Sequence, residues 1–367
     1  MKLRLILLSL FLTSWTGTSQ ESPLRVGVAG LTHGHVHWIL GAEERGDIEI
    51  VGISEPDREL AGRFAAQYGF DMDLVYPDLE TMIRARQPEA VTAFGDIHSH
   101  LEVVQACAPQ GIHVMVEKPL AVNLDHARQM AQLAGEHNIH LLTNYETSWY
   151  PTNHKAYALT RNDSAVGDIR KIMVRDGHRG PVKIGVQPEF LGWLTDPEKN
   201  GGGAITDFGC YGANLITWLL DGEKPLSVTA LTMQLQAENN PKVDDEAIIL
   251  LEYEHAVGVI QASWNWPIGR KDMEIYGLRG ALFADNRNDL RIRMAEGYDG
   301  FDETLLRPEA LEAPLDDPFA YLKAVVRGTL TLPEFEPGTL ANNLLVMEIL
   351  DAAVRSAREG RKVILEE

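Results

Sequence analysis

Residues 24–35 read Leu24-Arg-Val-Gly-Val-Ala29-Gly30-Leu-Thr32-His33-Gly34-His35, a short apolar strand running straight into a glycine turn. Such a turn, set between a first strand and a first helix, lets backbone N–H groups approach a pyrophosphate, and the helix N-terminus adds positive potential. The usual spacing is G-x-G-x-x-G. Here only Gly30 keeps it; Thr32 and His35 hold the second and third glycine places, and Gly34 is displaced by one. Alone, the turn reads equally as an ordinary strand-to-helix connection. Support comes from Glu55, which follows the strand-like run Ile48–Ile53. An acid about 20 residues beyond the turn accepts hydrogen bonds from ribose hydroxyls and repels a 2′-phosphate. Together these features predict a dinucleotide cofactor, NAD before NADP, with Arg58 near enough to admit the latter. Gly30, Thr32, His33, Gly34 and His35 are the expected contacts to its phosphates.

As far as Asn144, short apolar strands alternate with amphipathic helices. The strands are Leu24–Ala29, Ile48–Ile53, Ala90–Phe94, His113–Val116 and His140–Leu142. Asp57 caps one helix, closed by Gly69; Asp78 caps the next; Ser99 with Glu102 has capping-box spacing; Asn123 opens a fourth. The alternation predicts an α/β Rossmann-like domain with a parallel sheet over residues 23–145, binding its ligand at the carboxyl ends of the strands. After Pro151 the texture changes. Helices are predicted over His154–Arg161 and Ala213–Leu220. Strands follow at Ser227–Leu235, Ala247–Tyr253, Val257–Trp264, Asp272–Tyr276 and Ala281–Ala284, joined by short turns. That is an antiparallel meander, so residues 146–335 are expected to form an α+β domain with an open, mainly antiparallel sheet. Helices near Pro318–Arg327 and Thr339–Arg358 end the chain, and residues 336–367 form a C-terminal helical segment.

The 367 residues carry a formal charge of −20, which repels phosphate backbones and makes nucleic acid an unfavourable partner. Lys2 and Arg4 precede an apolar run, Leu5–Leu12, then small polar residues through Ser19. That order is a secretory signal peptide over residues 1–19, so export to a periplasmic or extracellular space is expected. The run is too short to span a bilayer. Cys107 and Cys210 are too few for a disulfide framework, and neither is marked as a nucleophile. His33, His35 and His37 are spaced by two in a segment expected to enter a helix, with no acid or cysteine beside them, so no metal site is predicted.

Gly111-Ile-His-Val-Met-Val116-Glu117-Lys118-Pro119-Leu120 places Glu-Lys-Pro at a strand end. Gly201-Gly-Gly-Ala-Ile-Thr-Asp207-Phe-Gly-Cys-Tyr211 follows on the second domain, and Asp96–His100 forms the turn before the first motif. In this order the segments resemble the signatures of the Gfo/Idh/MocA family of oxidoreductases, across essentially the whole chain beyond residue 19. The resemblance implies hydride transfer between a nicotinamide and a carbinol carbon of a sugar or related polyol. It places Asp96, His100, Glu117, Lys118 and Pro119 against the cofactor, and Lys118, Asp207 and Tyr211 at the chemistry. The closing helix is implied to pack back on the first domain, and a homo-oligomer formed through the open sheet is usual. Tyr211 stands where many members carry His, as in the glucose–fructose oxidoreductase and dihydrodiol or xylose dehydrogenase branch.

Hydride leaves a carbinol carbon only as its O–H proton is removed, so a proton carrier must touch that oxygen. Lys118 is expected to serve once burial and a neighbouring cation lower its pKa. Asp207 precedes Tyr211 by one helical turn, which lets both face one cleft; helix N-capping is the rival role for Asp207. Asn144, Trp149, Trp193, His178 and Arg179 are the candidate sugar contacts. Ser148-Trp149-Tyr150-Pro151 lacks the Arg that the family often has there. Because free nucleotide is scarce outside the cytoplasm, export implies a tightly bound NAD(P). The resemblance then leaves open net oxidation, sugar–sugar exchange, and glycoside cleavage through a transient keto-sugar. A non-catalytic sugar-binding protein is the reading outside enzymology.

Overall fold

The computed structural model describes residues 22–41 and 46–365, so the signal-like segment 1–19 lies outside the described residues. The first sheet holds β1 (Leu24–Ala29), β2 (Ile48–Ser54), β3 (Val75–Tyr76), β4 (Ala90–Ala93), β5 (His113–Glu117) and β6 (Leu141–Asn144). All its pairings are parallel, in the order β3-β2-β1-β4-β5-β6. The chain reverses its direction of winding between β1 and β4, and a crevice opens there outside the carboxyl ends of the strands. Asp57, Asp78 and Asn123 cap their helices as expected. Ser99 does not. It already has helical backbone angles, and its hydroxyl donates back to the Asp96 carbonyl at 2.6 Å. Asp96 is the cap instead, its carboxylate accepting from the Ser99 N–H.

The second sheet contains β7 (Ile169–Gly177), β8 (Ser227–Met233), β9 (Glu246–Glu252), β10 (Val257–Ser263), β11 (Arg270–Gly277), β12 (Gly280–Ala284), β13 (Leu290–Glu296), β14 (Gly300–Leu306) and β15 (Val363–Ile364). Its order is β14-β13-β12-β11-β7-β10-β9-β8-β15. The predicted meander is therefore broken: β7 inserts between β10 and β11, parallel to the first and antiparallel to the second. Its charged residues hide the pattern. Ile172, Val174 and Asp176 all face inward, while the residues between them face out. Helix Gly209–Leu219 lies buried against the inner face of this sheet. It can lie so close because Gly212 has no Cβ; one would stand 2.5 Å from Ile260. The outer face exposes Leu231, Met233, Leu250 and Val257.

Helix Pro318–Val326 precedes the expected boundary at residue 335, yet it packs on the first sheet. Phe319, Tyr321, Leu322 and Val325 share one core with Leu24, Val26 and Ile53 of the first sheet. Burying that apolar stripe under the parallel sheet draws this segment out of the second domain. Helix Leu340–Glu359 packs on both units. Ser356 accepts from the Ala230 N–H of β8 at 2.9 Å, and Glu348 pairs with Arg128 of the first domain at 3.6 Å.

Candidate active site

Lys118 leaves the end of β5 almost fully buried, and its Nζ lies 2.5 Å from Asp207 Oδ1 and 3.2 Å from the Asp207 carbonyl. Asp207 ends the short helix Ala204–Asp207, which the Asp244 carboxylate anchors by accepting from the N–H groups of Gly203 (2.9 Å) and Ile205 (2.7 Å). The N-capping role for Asp207 is not found, since the next helix, Gly209–Leu219, has Phe208 at its N-cap position and no side-chain cap. The lowered lysine pKa expected from burial and a nearby cation is also corrected. Burial pulls that way, but the Asp207 carboxylate outweighs it and holds the ammonium above its ordinary value. Burial likewise raises Asp207, and the Lys118 charge beside it more than reverses this.

Tyr211 is 1 % exposed, and two ammonium groups lie near its ring, Lys118 Nζ at 5.3 Å and Lys271 Nζ at 5.0 Å from the centroid. Burial, then the acids around it, hold the phenol well above its usual pKa. The helix breaks at Phe208, yet Asp207 and Tyr211 still meet at Lys118. Burial pushes the Cys210 thiol up to about 12, which disqualifies it as a nucleophile at neutral pH.

A cleft of about 720 Å³ opens beside this group, lined by Tyr150, His178, Phe208, Arg270, Lys271 and Arg287. The Gly180 N–H donates to His178 Nδ1 at 3.0 Å, so in the neutral ring Nε2 carries the proton and is a donor. The other four candidate sugar contacts lie elsewhere. Arg179 is exposed and does not line the cleft. Asn144 donates to Glu117 at 2.6 Å and accepts from the Trp149 indole at 3.0 Å, and Trp149 packs in the core against Tyr321. Trp193 sits on the glycine turn instead. Three residues in this region carried no sequence signal: Lys271, its ion-pair partner Glu146, and Asp176 on β7. Asp176 is fully buried with neither oxygen hydrogen-bonded, and burial pushes its carboxyl well above the ordinary range.

On the other side, a cleft of about 740 Å³ lies at the carboxyl ends of β1, β2 and β4, lined by Gly30, Thr32, Glu55, Asp96 and Arg84 among others. Gly30 has φ +80°, and a Cβ there would stand 2.8 Å from Gly95 N, so the turn admits glycine alone. Both Glu55 oxygens accept backbone N–H groups, from Leu31 and Asp57 at 2.9 Å, and each keeps a lone pair for a ribose hydroxyl. Arg58 turns away to the Val75 carbonyl.

Glu117 is the centre of a buried cluster. His35 Nδ1 lies 2.9 Å and His33 Nε2 4.0 Å from its Oε2. Burial alone would raise its carboxyl, but the two histidines and Asn144 bring it down to about 2. An acid therefore does complete the histidine set, from 82 residues away, and the three groups lie within 4.8 Å of one another. The tautomer argues against a metal: His33 Nδ1 accepts from the His35 N–H, which puts the ring proton on Nε2, the atom that would have to bind. His100 lies deeper, fully buried, with Nδ1 donating to the Leu120 carbonyl behind Pro119 and Nε2 unpartnered. It props the Glu-Lys-Pro turn from below. The glycine-only cradle, Glu55 at the cleft wall and the unpartnered His33 Nε2 fit a dinucleotide running from Glu55 toward Lys118.

A parallel sheet with a crevice at its switch point, closed by a second domain that supplies an acid to a buried lysine, defines a two-domain architecture of the dinucleotide-binding class. Residues 24–145 match the family described as oxidoreductase family, NAD-binding Rossmann fold, and residues 159–283 match the GFO/IDH/MocA C-terminal domain. The chain belongs to the Gfo/Idh/MocA family. It is 30% identical over 209 residues to trans-1,2-dihydrobenzene-1,2-diol dehydrogenase of Xenopus laevis, covering 56% of this chain and 58% of that one. It thus spans less than two thirds of that relative. Inositol 2-dehydrogenase of Rhizobium meliloti is 22% identical over 86% of this chain and 92% of its own. The structure of GenD2 from gentamicin A biosynthesis, in complex with NAD, is 25% identical with a TM-score of 0.75, covering 96% of this chain and 99% of that one.

Proposed function

We propose that this chain is an exported NAD-dependent oxidoreductase that moves a hydride between a retained nucleotide and a carbinol carbon of a sugar or polyol. The observation that carries the reading is the buried Lys118–Asp207 pair beside Tyr211, whose neighbours Phe208 and Lys271 line the second cleft. The relatives' names, a diol and an inositol dehydrogenase, support the substrate class. Glu55 on the cleft wall, with Arg58 turned away, supports NAD over NADP.

When bound, the nicotinamide supplies or takes up the hydride. The chain's own residues handle the proton. Lys118, held as ammonium, and Tyr211, held as phenol, both donate hydrogen bonds to the substrate oxygen, which is the form needed to protonate a carbonyl undergoing reduction. In the oxidative direction the carbinol proton passes to Lys118 as Lys118 yields its own to Asp207, the ionised acceptor of the three. His178 Nε2–H is placed to hold a second hydroxyl.

Asp176, with the neighbouring Glu146–Lys271 pair, favours a second reading, glycoside cleavage through a transient keto-sugar. Elimination next to a ketone needs a second proton carrier, and a neutral buried carboxyl is one. A binding protein without chemistry would have no use for an intact Lys118–Asp207 pair. The exposed apolar stripe Leu231, Met233, Leu250 and Val257 supports a homo-oligomer formed through the open sheet. Export rests on residues 1–19 alone.

The test is mass spectrometry and absorbance of purified, denatured protein for co-released nucleotide, followed by a screen of sugars and glycosides without added cofactor. Stoichiometric NAD(H) is expected. No co-released nucleotide, together with no binding of added NAD or NADP, would replace this reading with the binding-protein one.

A further inference from the structure

Residues 181–200 follow β7 in the second domain, yet they lie on the glycine turn of the first. Their helix Pro188–Leu194 presents Phe190 and Trp193. The Trp193 indole donates to Thr32 Oγ1 at 3.1 Å and stacks on His33 at 5.7 Å between ring centroids. Phe190 completes the group, 4.7 Å from the His33 ring and 4.8 Å from Trp193. Further contacts flank this seat on both sides. Gln187 donates to His37 at 3.1 Å and Glu189 pairs with Arg63 at 3.2 Å, while at the far end Lys199 lies 3.8 Å from Asp96. The segment is thus anchored to the β1 turn and to the end of β4, the two walls of the crevice.

We propose that residues 181–200 are a clasp that retains the dinucleotide by closing over its pyrophosphate and nicotinamide half, with Trp193 and Phe190 as the seat. This rests on the dinucleotide reading above and gives it a cause for slow release. A dinucleotide crossing Gly30 from Glu55 to Lys118 runs beneath this segment, so it leaves only when the seat opens. The flanking ion pairs are exposed and contribute little; the ring cluster is buried, with His33 2 % and Trp193 4 % exposed. Closure also orients Thr32. Its oxygen accepts from Trp193, which leaves its proton free to donate toward the nicotinamide-side phosphate, the one AMP lacks. The adenosine end is left open, because none of residues 181–200 lines the cleft around Glu55, Thr81 and Arg84.

The clasp therefore acts on dinucleotides and not on AMP. Release of bound NAD is followed by dilution into excess fluorescent etheno-NAD, and AMP affinity by calorimetry, for the full chain and for Trp193→Ala, Trp193→Phe and Glu189→Gln. Trp193→Ala is expected to release NAD at least about tenfold faster, mostly through the dissociation rate, with AMP affinity unchanged. Trp193→Phe, which keeps a ring in the seat and serves if the alanine variant does not fold, falls between; Glu189→Gln stays near wild type. Wild-type release from both Trp193 variants, or equal weakening of NAD and AMP, would overturn the clasp. A wild-type chain that binds neither nucleotide would remove the dinucleotide reading itself, and the clasp with it.

Discussion

Trp264 donates its indole N–H, at 3.0 Å, to the one oxygen of Asp207 that Lys118 does not take. The acid is held on both sides by buried groups, so its charge and position are set before any ligand arrives. On the proposed mechanism, that preorganisation fixes the acceptor to which Lys118 would pass its proton.

Asp207→Asn leaves the Lys118 ammonium buried without its counter-charge. Breaking such a pair costs about 3–5 kcal/mol, to be read in denaturant unfolding. Burial then acts on Lys118 unopposed, so its pKa falls and the alkaline limb of the pH–rate profile moves to lower pH. Turnover should drop by roughly 10²–10⁴-fold. An unchanged alkaline limb would mean that Lys118 is not the titrating carrier.

Glu117 has a folded pKa of about 2, below its unfolded value. A depressed acid contributes stability that is present above the unfolded pKa, near 4.3, and is lost as pH falls through the folded one. Urea unfolding from neutral pH down to about 2 should therefore show an acid-side loss that Glu117→Gln flattens. Parallel curves for the two proteins would count against the histidine cluster as its cause.

Asp176 behaves in the opposite sense. Its folded pKa is raised, so stability is full below the unfolded value and is lost as pH rises toward the folded one. Asp176→Asn, which cannot ionise, should flatten that loss, so unfolding free energies taken from about pH 4 to 8 should fall less steeply for the variant than for the parent. If Asp176 carries a proton in glycoside cleavage, the same variant keeps hydride exchange with a free sugar and loses cleavage. Loss of both activities in a well-folded Asp176→Asn protein would refute that division of labour.

Glu55→Ser removes the carboxylate that the proposed reading assigns to the ribose, and with it the charge that would oppose a 2′-phosphate. One charge-assisted hydrogen bond is worth about 1.5–3 kcal/mol, so NAD should bind roughly ten- to a hundredfold more weakly while NADP gains on it. Titration of both nucleotides reads this directly. An unaltered NAD/NADP ratio would move the ribose away from Glu55.

What was legible in the sequence followed local rules. Asp57, Asp78 and Asn123 act through neighbours two or three residues away, and the five expected strands of the first sheet are short runs dominated by apolar residues. What was not legible depends on long-range placement. β7 carries charged residues and a buried acid, which obscured its alternation. Lys271 reaches Tyr211 only because β7 brings β11 beside the site, and Glu117 reaches His35 only through the fold. The motif residues Lys118, Asp207 and Tyr211 were found through their family pattern, but the raised pKa of Lys118 could not be, because it is set by an acid 89 residues away. The placements of Trp149 beside Asn144 and of Trp193 on the glycine turn are not legible either, because an aromatic side chain reads the same whether it lines a cleft or fills a core.

The most direct test of the central claim is a single-turnover experiment. Nucleotide-loaded protein is mixed with a panel of sugars and polyols, without added cofactor, while reduced-nicotinamide absorbance is followed, with Lys118→Met alongside. A change approaching one nicotinamide per chain is expected with at least one sugar or polyol, and none in the variant. No change with any member of the panel, or an equal change in Lys118→Met, would contradict it.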